Sequence, residues 1–151
     1  KARDPTMRRL IMVAASLLML SATAAAQRLD TGPGASLGYP FSEAARVGDL
    51  LFLSGQVGTD DKGELAPGGM VPEAHQIMQN IQGVLQRQGL SMKDVVKCTI
   101  FLADVAEWAD FNKVYVTYFE KPYPARSALG ANGLALGARL EVECIAAYPN
   151  N

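Results

Sequence analysis

Apolar residues between positions 73 and 88 recur at helical spacing. Ala74, Ile77, Met78, Ile81, Val84 and Leu85 fall on one stripe. Pro72 suits a first turn and Gly89 follows the last apolar position, so the pattern predicts a helix over 73–88. Ala44 to Val47 and Leu50 to Ser54 read instead as two short strands, and Gly48-Asp49 between them suits a tight hairpin. Asp60-Asp61-Lys62-Gly63 reads as a turn and Gly68-Gly69 as a flexible loop. From Asp94 to Val105 a β-branched run (Val95, Val96, Thr99, Ile100, with Phe101 and Leu102) predicts a buried strand. Asp104 with Glu107 resembles a capping box that opens a second helix. Its aromatic stripe, Trp108, Phe111, Tyr115, Tyr118 and Phe119, reads as core and stops before Pro122. Two further strands are expected at about residues 126–132 and 139–148.

The resulting order is strand-strand-helix-strand-helix-strand-strand. It contains no G-x-G-x-x-G and no P-loop motif. Two helices of about four turns each would cover one face of a single mixed sheet, an α+β arrangement. The last strand puts Leu140, Val142, Cys144 and Ala146 on one side and Glu141, Glu143, Ile145 and Ala147 on the other. Both sides are partly apolar, so a lone copy would expose an apolar face, which points to an oligomer.

Residues 7–26 have the layout of a secretory leader. Arg8 and Arg9 precede an apolar run from Leu10 to Leu20, and Ala24-Ala25-Ala26 before Gln27 fits an A-x-A cleavage pattern. A first amphipathic or buried helix and an uncleaved membrane anchor are the alternatives. Residues 1–6 precede a plausible start at Met7 and read as a cloning remnant. Residues 27–37 read as a linker or arm, within a stretch rich in Gly, Pro and Ser, and residues 38–151 as the folded domain. A leader implies a periplasmic or secreted protein, with no membrane association after cleavage. Without residues 1–26 about 10 basic residues remain against 14 acidic, a net charge of about −4. No basic run follows Arg28, which argues against a nucleic-acid partner. Cys98 and Cys144 sit in apolar strand-like runs without C-x-x-C spacing and read as two buried thiols, although an oxidising compartment would permit a disulfide. One histidine, His75, reads as a surface or edge residue, so no metal site is expected.

The chemistry concentrates in Pro124-Ala125-Arg126-Ser127-Ala128-Leu129 and Leu140-Glu141-Val142-Glu143-Cys144-Ile145-Ala146. These place one cation and two carboxylates on what read as neighbouring strands. An arginine on an apolar strand needs an anionic partner, and a carboxylate-bearing ligand is one such partner. Glu141 is then a candidate for handling a proton or a water, while Glu143 reads as structural or as a partner for Arg139 or Lys97.

Together with Pro40-Phe41-Ser42-Glu43-Ala44 and Ser54-Gly55-Gln56, these segments resemble the RidA/YjgF family of reactive intermediate deaminases, also called L-PSP endoribonucleases. The similarity spans about residues 36–148. It implies a chorismate mutase-like α+β fold, a single mixed sheet with two helices on one face. It also implies homotrimers whose sheets form a central β-barrel with ligand clefts between subunits. The implied activity is hydrolysis of enamines and imines to 2-keto acids and ammonia, without a cofactor. By the same resemblance, Arg126 binds the substrate carboxylate and Glu141 positions or activates water. Phe41, Ser54, Gly55, Asn112 and Ala128 line the substrate site. Phe41 stands where a tyrosine is usual, Ala128 where many members carry cysteine, and a frequent Leu-Pro reads Leu134-Ala135. The expected ligand is a small carboxylate-bearing imine or keto acid. A non-catalytic carboxylate-binding or chaperone-like trimer is the competing reading, with ribonuclease activity behind it.

Overall fold

A computed structural model of the chain describes residues 25–33 and 37–149. Residues 1–6 and nearly all of the leader assigned to 7–26 lie outside the described residues. Among the described residues six strands form one mixed sheet, with two helices. They are β1 (Gln27–Leu29), β2 (Ala44–Val47), β3 (Leu50–Leu53), β4 (Val95–Leu102), β5 (Ala125–Gly130) and β6 (Leu140–Ala147), and the helices are α1 (Met70–Arg87) and α2 (Trp108–Tyr115). Spatial order is β1-β2-β3-β6-β4-β5. All neighbours are antiparallel except β4 and β5, which run parallel.

The hairpin forms where the pattern placed it. Val47 pairs with Leu50 across Gly48-Asp49, and Gly48 takes φ 58°, the positive value a two-residue hairpin turn requires. Tyr148 N–H donates to the Asp49 carbonyl at 2.8 Å, and the Arg46 guanidinium lies 3.8 Å from the Tyr148 ring centroid. These contacts fasten the turn to the end of β6. One strand was not legible in advance. Gln27–Leu29, within the segment read as a linker or arm, pairs with β2 and extends the sheet.

Helix α1 starts at Met70, three positions earlier than the stripe indicated. Gly69, at φ 92°, supplies the turn into it, and Pro72 lies in the first turn, where its missing N–H has no intrahelical use. All six stripe residues are buried. Helix α2 is shorter than the four turns expected. A 3₁₀ turn (Val105–Glu107) precedes it, capped by the Asp104 carboxylate accepting from Ala106 N–H at 2.9 Å. Glu107 does not close the capping box; its carboxylate accepts from Arg139 Nη1 at 2.7 Å. After Tyr115 the backbone tightens into turns, with the Thr117 hydroxyl donating to the Val114 carbonyl at 2.7 Å. Trp108 also departs from the core reading: it is 44% exposed, whereas Phe111, Tyr115 and Phe119 are buried.

Both helices lie on one face of the sheet. They pack on Cys98, Ile100 and Leu102 of β4 and Leu140, Val142, Cys144 and Ala146 of β6. Buried Glu73 fixes α1 to the start of β6 by accepting Arg139 N–H at 2.8 Å, and the Arg139 side chain bridges to Glu107. Arg139 is thereby committed to partners other than Glu143. On the uncovered face Leu50, Phe52 and Leu129 are each at least 40% exposed.

The cysteines correct the two-thiol reading. Cys98 and Cys144 are paired residues of β4 and β6, their Cα atoms 4.1 Å apart, and they form a disulfide. Spacing in the sequence could not reveal this, because opposition across the sheet depends on strand register. Their bridge spans 46 residues, and a link of that length constrains the unfolded chain by about 2–4 kcal/mol. Thiol labelling in denaturant should therefore find no reactive cysteine before reduction and two after. Reduction should lower unfolding stability, measured in urea, by that amount; free thiols in the unreduced protein would refute the pairing.

Candidate functional site

Position 141 faces away from the helices because it alternates with buried Leu140 and Val142. Its carboxylate packs against Gly55, just past the end of β3. A Cβ at Gly55 would lie 1.9 Å from Glu141 Oε1, so glycine is what lets the two segments meet. The loop bearing Gly55 is held to α1 by Asn80, whose Nδ2 donates to the carbonyls of Val57 and Thr59 at 3.3 and 2.9 Å. Gln56 rejoins the sheet by pairing with Val142.

Glu141, Gly55 and Gln56 line a cleft of about 480 Å³. Leu37, Tyr39, Phe41 and Leu136 form its apolar part, and Asp30, Asp60 and Asp61 add carboxylates. Asp60 caps its own turn. Backbone N–H groups of Glu64 and Lys62 donate to its carboxylate at 3.0 and 2.9 Å and hold its pKa below the usual value. Among the described residues lining the cleft the sole cation is Arg87, and it is ion-paired to Glu43. No lining cation is left over for a ligand carboxylate.

Arg126 lies elsewhere. The strands carrying Arg126 and Glu141 are not neighbours, because β4 runs between them. Arg126 is in register with Cys98 and so shares the helix-bearing face, whereas Glu141 is in register with Phe101 on the other. Within one chain the arginine and the glutamate therefore point to opposite sides of the sheet. This corrects the expectation of a shared strand pair. The guanidinium of Arg126 stacks near Tyr115 (4.7 Å to the ring centroid) and Trp108 (5.7 Å) and makes no ion pair among the described residues. The Tyr115 hydroxyl is buried without a hydrogen-bond partner there. Burial raises its pKa, and the nearby Arg126 charge works in the opposite direction.

The seven candidate residues thus divide in two. Phe41, Gly55 and Glu141 share the cleft. Ser54 sits behind it, and its hydroxyl donates to the Ser42 carbonyl at 2.7 Å, a structural bond that ties the end of β3 to the strand-leading segment. Asn112 is one helical turn from Tyr115, and its Oδ1 is buried without a hydrogen-bond partner among the described residues. Ala128 follows Arg126 on the same face of β5. Tyr115 and Trp108, the platform for Arg126, were not singled out as site residues because an aromatic stripe at helical spacing reads as core. His75 is half-buried and shares a hydrogen bond with the Tyr118 hydroxyl at 3.0 Å, outside both groups.

The comparisons with known proteins agree with this architecture. Residues 35–148 match the family described as Endoribonuclease L-PSP. Mouse 2-iminobutanoate/2-iminopropanoate deaminase is 42% identical over 108 residues, covering 71% of this chain and 80% of the mouse protein. The crystal structure of the yeast protein YEO7 superposes with a TM-score of 0.77 at 38% identity, covering 83% of this chain and 100% of that one. Escherichia coli TdcF with bound serine gives 0.69 at 30% identity, covering 74% of this chain and 90% of that one. One mixed sheet, two helices on one face and this sequence match make the chain a member of the RidA/YjgF family, the L-PSP endoribonuclease family.

The contact between Gly55 and Glu141 yields a prediction that needs no substrate. Gly55→Ala should destabilise the protein by about 1–3 kcal/mol through overpacking. In a Glu141→Ala background the same change should cost much less, because the three atoms nearest the new Cβ all belong to that side chain. Urea unfolding of the four proteins measures the coupling, and additive costs would remove the contact.

Proposed function

We propose that this chain hydrolyses imines and enamines of 2-amino acids to 2-keto acids and ammonia, in clefts formed between copies of a homotrimer. The observation that carries this reading is the division of Arg126 and Glu141 between opposite faces of one sheet. Each half lacks what the other has. Among the described residues the Glu141 cleft is acidic without an available cation, and Arg126 presents a guanidinium without a carboxylate. A neighbouring copy that brings its Arg126 to the Glu141 cleft completes both. The apolar uncovered face, with Leu50, Phe52 and Leu129, supports packing of three sheets into a central barrel. The deaminase relatives support the reaction class.

In this scheme the planar fork of Arg126 holds the substrate carboxylate in two parallel hydrogen bonds. The imine carbon is already electrophilic, so the remaining needs are orientation and proton transfer. Glu141 takes a proton from water as the water oxygen adds to the imine carbon, and the nitrogen is protonated. The resulting carbinolamine collapses: its C–N bond breaks, ammonia leaves, the hydroxyl proton is lost and the keto group forms. These steps require no metal or organic cofactor. The acidic cleft wall disfavours a phosphate backbone and hence ribonuclease action. Phe41 in place of tyrosine is the feature that favours the second reading, a carboxylate-binding or chaperone-like trimer without turnover.

Arg126→Ala should abolish imine hydrolysis, measured by semicarbazide competition, while scattering still gives a trimer mass. Glu141→Ala should do the same. Co-refolded in equal amounts, the two inactive proteins should regain activity. About a quarter of the sites in random trimers would combine an intact arginine with an intact glutamate from its neighbour. Failure to recover activity would place both residues in one chain's site or deny one of them its role, and a wild type that binds keto acids without turnover would select the second reading.

We also propose export, with cleavage at Ala26 and a mature start at Gln27. The Cys98–Cys144 disulfide supports an oxidising destination. Intact mass of protein recovered from the periplasm or medium should begin near Gln27; an uncut species confined to the cytosol would reject export.

A further inference from the structure

We propose that the cleft beside Glu141 selects imines with a large apolar side chain, aromatic or branched aliphatic, and that Leu136 and Tyr39 set this preference. The inference rests on the imine-hydrolysis reading and adds the substrate class. Four large apolar side chains stand open to solvent around this cleft: Leu37 at 40%, Tyr39 at 41%, Phe41 at 54% and Leu136 at 62% exposure. The Tyr39 and Phe41 rings are stacked, with centroids 5.3 Å apart and planes 18° from parallel, so together they present one broad wall. Such a wall is unfavourable in water and gains from covering by an apolar group. A methyl-bearing imine would cover little of it. The cleft, about 480 Å³, lies in the range of roughly 300–1,000 Å³ that accepts much larger ligands.

Leu136 strengthens the case because of its backbone. Its φ is 60°, and it is the sole non-glycine residue with positive φ among the described residues. Side chains rarely adopt that conformation, and such outliers gather at ligand sites. Gly133 and Gly137 in the same loop also take positive φ, so the chain uses glycine at the neighbouring left-handed positions. At 136 it carries a leucine instead, and that leucine lines the cleft. The carboxylates of Asp30, Asp60 and Asp61 mark the rival outcome, a cationic side chain.

The test uses wild-type protein and Leu136→Gly, with imines generated in situ by amino-acid oxidases from phenylalanine, leucine, alanine and lysine. The wild type should favour the phenylalanine- and leucine-derived imines over the alanine-derived one by at least about tenfold in kcat/KM. Leu136→Gly should shrink that ratio by about tenfold, chiefly through KM. Its Tm should not fall, since glycine relieves the left-handed conformation. Tyr39→Ala should shift the ratio in the same direction. Preference for the alanine- or lysine-derived imine, or an unchanged ratio in Leu136→Gly, overturns the proposal. So does a drop in assembly mass in Leu136→Gly without a change in ratio, which would make the wall an interface between copies. If the wild type turns over no imine, the hydrolysis reading fails separately. Thermal shifts with phenylpyruvate and pyruvate then decide the cleft: a larger shift with phenylpyruvate, lost in Leu136→Gly, upholds the apolar subsite, and equal shifts refute it.

Discussion

Strand β6 alternates strictly, and that alternation organises both the core and the site. Leu140, Val142, Cys144 and Ala146 close the core against the helices, while Glu141 and Glu143 are turned to the other side by the two-residue period of a strand. A shift of one residue in register would bury both carboxylates and expose the core. The register is held from several directions. Gln56 pairs with Val142, Cys98 is bonded to Cys144, and Arg139 at the strand's entry is gripped by Glu73 and Glu107. The orientation of Glu141 is thus a by-product of packing on the opposite face, and it persists whatever occupies the cleft.

A consequence is that one chain carries its candidate residues in two separate groups. The residues near Arg126 belong to the helix-bearing side, with Tyr115 and Trp108 beneath the guanidinium. Those near Glu141 belong to the loop-bearing side, with Gly55 and Phe41. The buried, unsatisfied oxygens of Asn112 and Tyr115 lie in the first group, where a single chain leaves polar atoms without hydrogen-bond partners.

Elements with a long apolar period were readable in advance. The α1 stripe, the hairpin at Gly48-Asp49 and the β4 run all occur where the pattern placed them, because local spacing dictates them. Features that depend on which strands become neighbours were not. The sequence order of β5 and β6 implied adjacency, yet β4 separates them, since β5 joins by a parallel crossover and β6 inserts between β3 and β4. The same ignorance of register hid the disulfide. Strand β1 was illegible for another reason: three residues in a Gly- and Pro-rich stretch carry too little periodicity to show. Helix α2 was overestimated because its aromatic stripe continues past Tyr115 into tighter turns, where Thr117 and Tyr118 N–H donate to the carbonyls three residues back and not four. Among the site residues, Arg126 and Glu141 stood out as charges on apolar strands, but nothing in a linear reading could show that they diverge.

The placement of β6 at the middle of the sheet also governs the order in which the fold can be acquired during synthesis. The β2–β3 hairpin and the β4-α2-β5 crossover are local and can form early, but they touch one another in the sheet only through residues 140–147. Until that segment has been made, the two halves of the sheet have no common strand. A nascent chain thus remains short of its native state until residues 140–147 can pair, as expected where distant segments must meet. The last strand to be made is thus the one that joins the sheet, and the topology itself delays the compact state until it arrives.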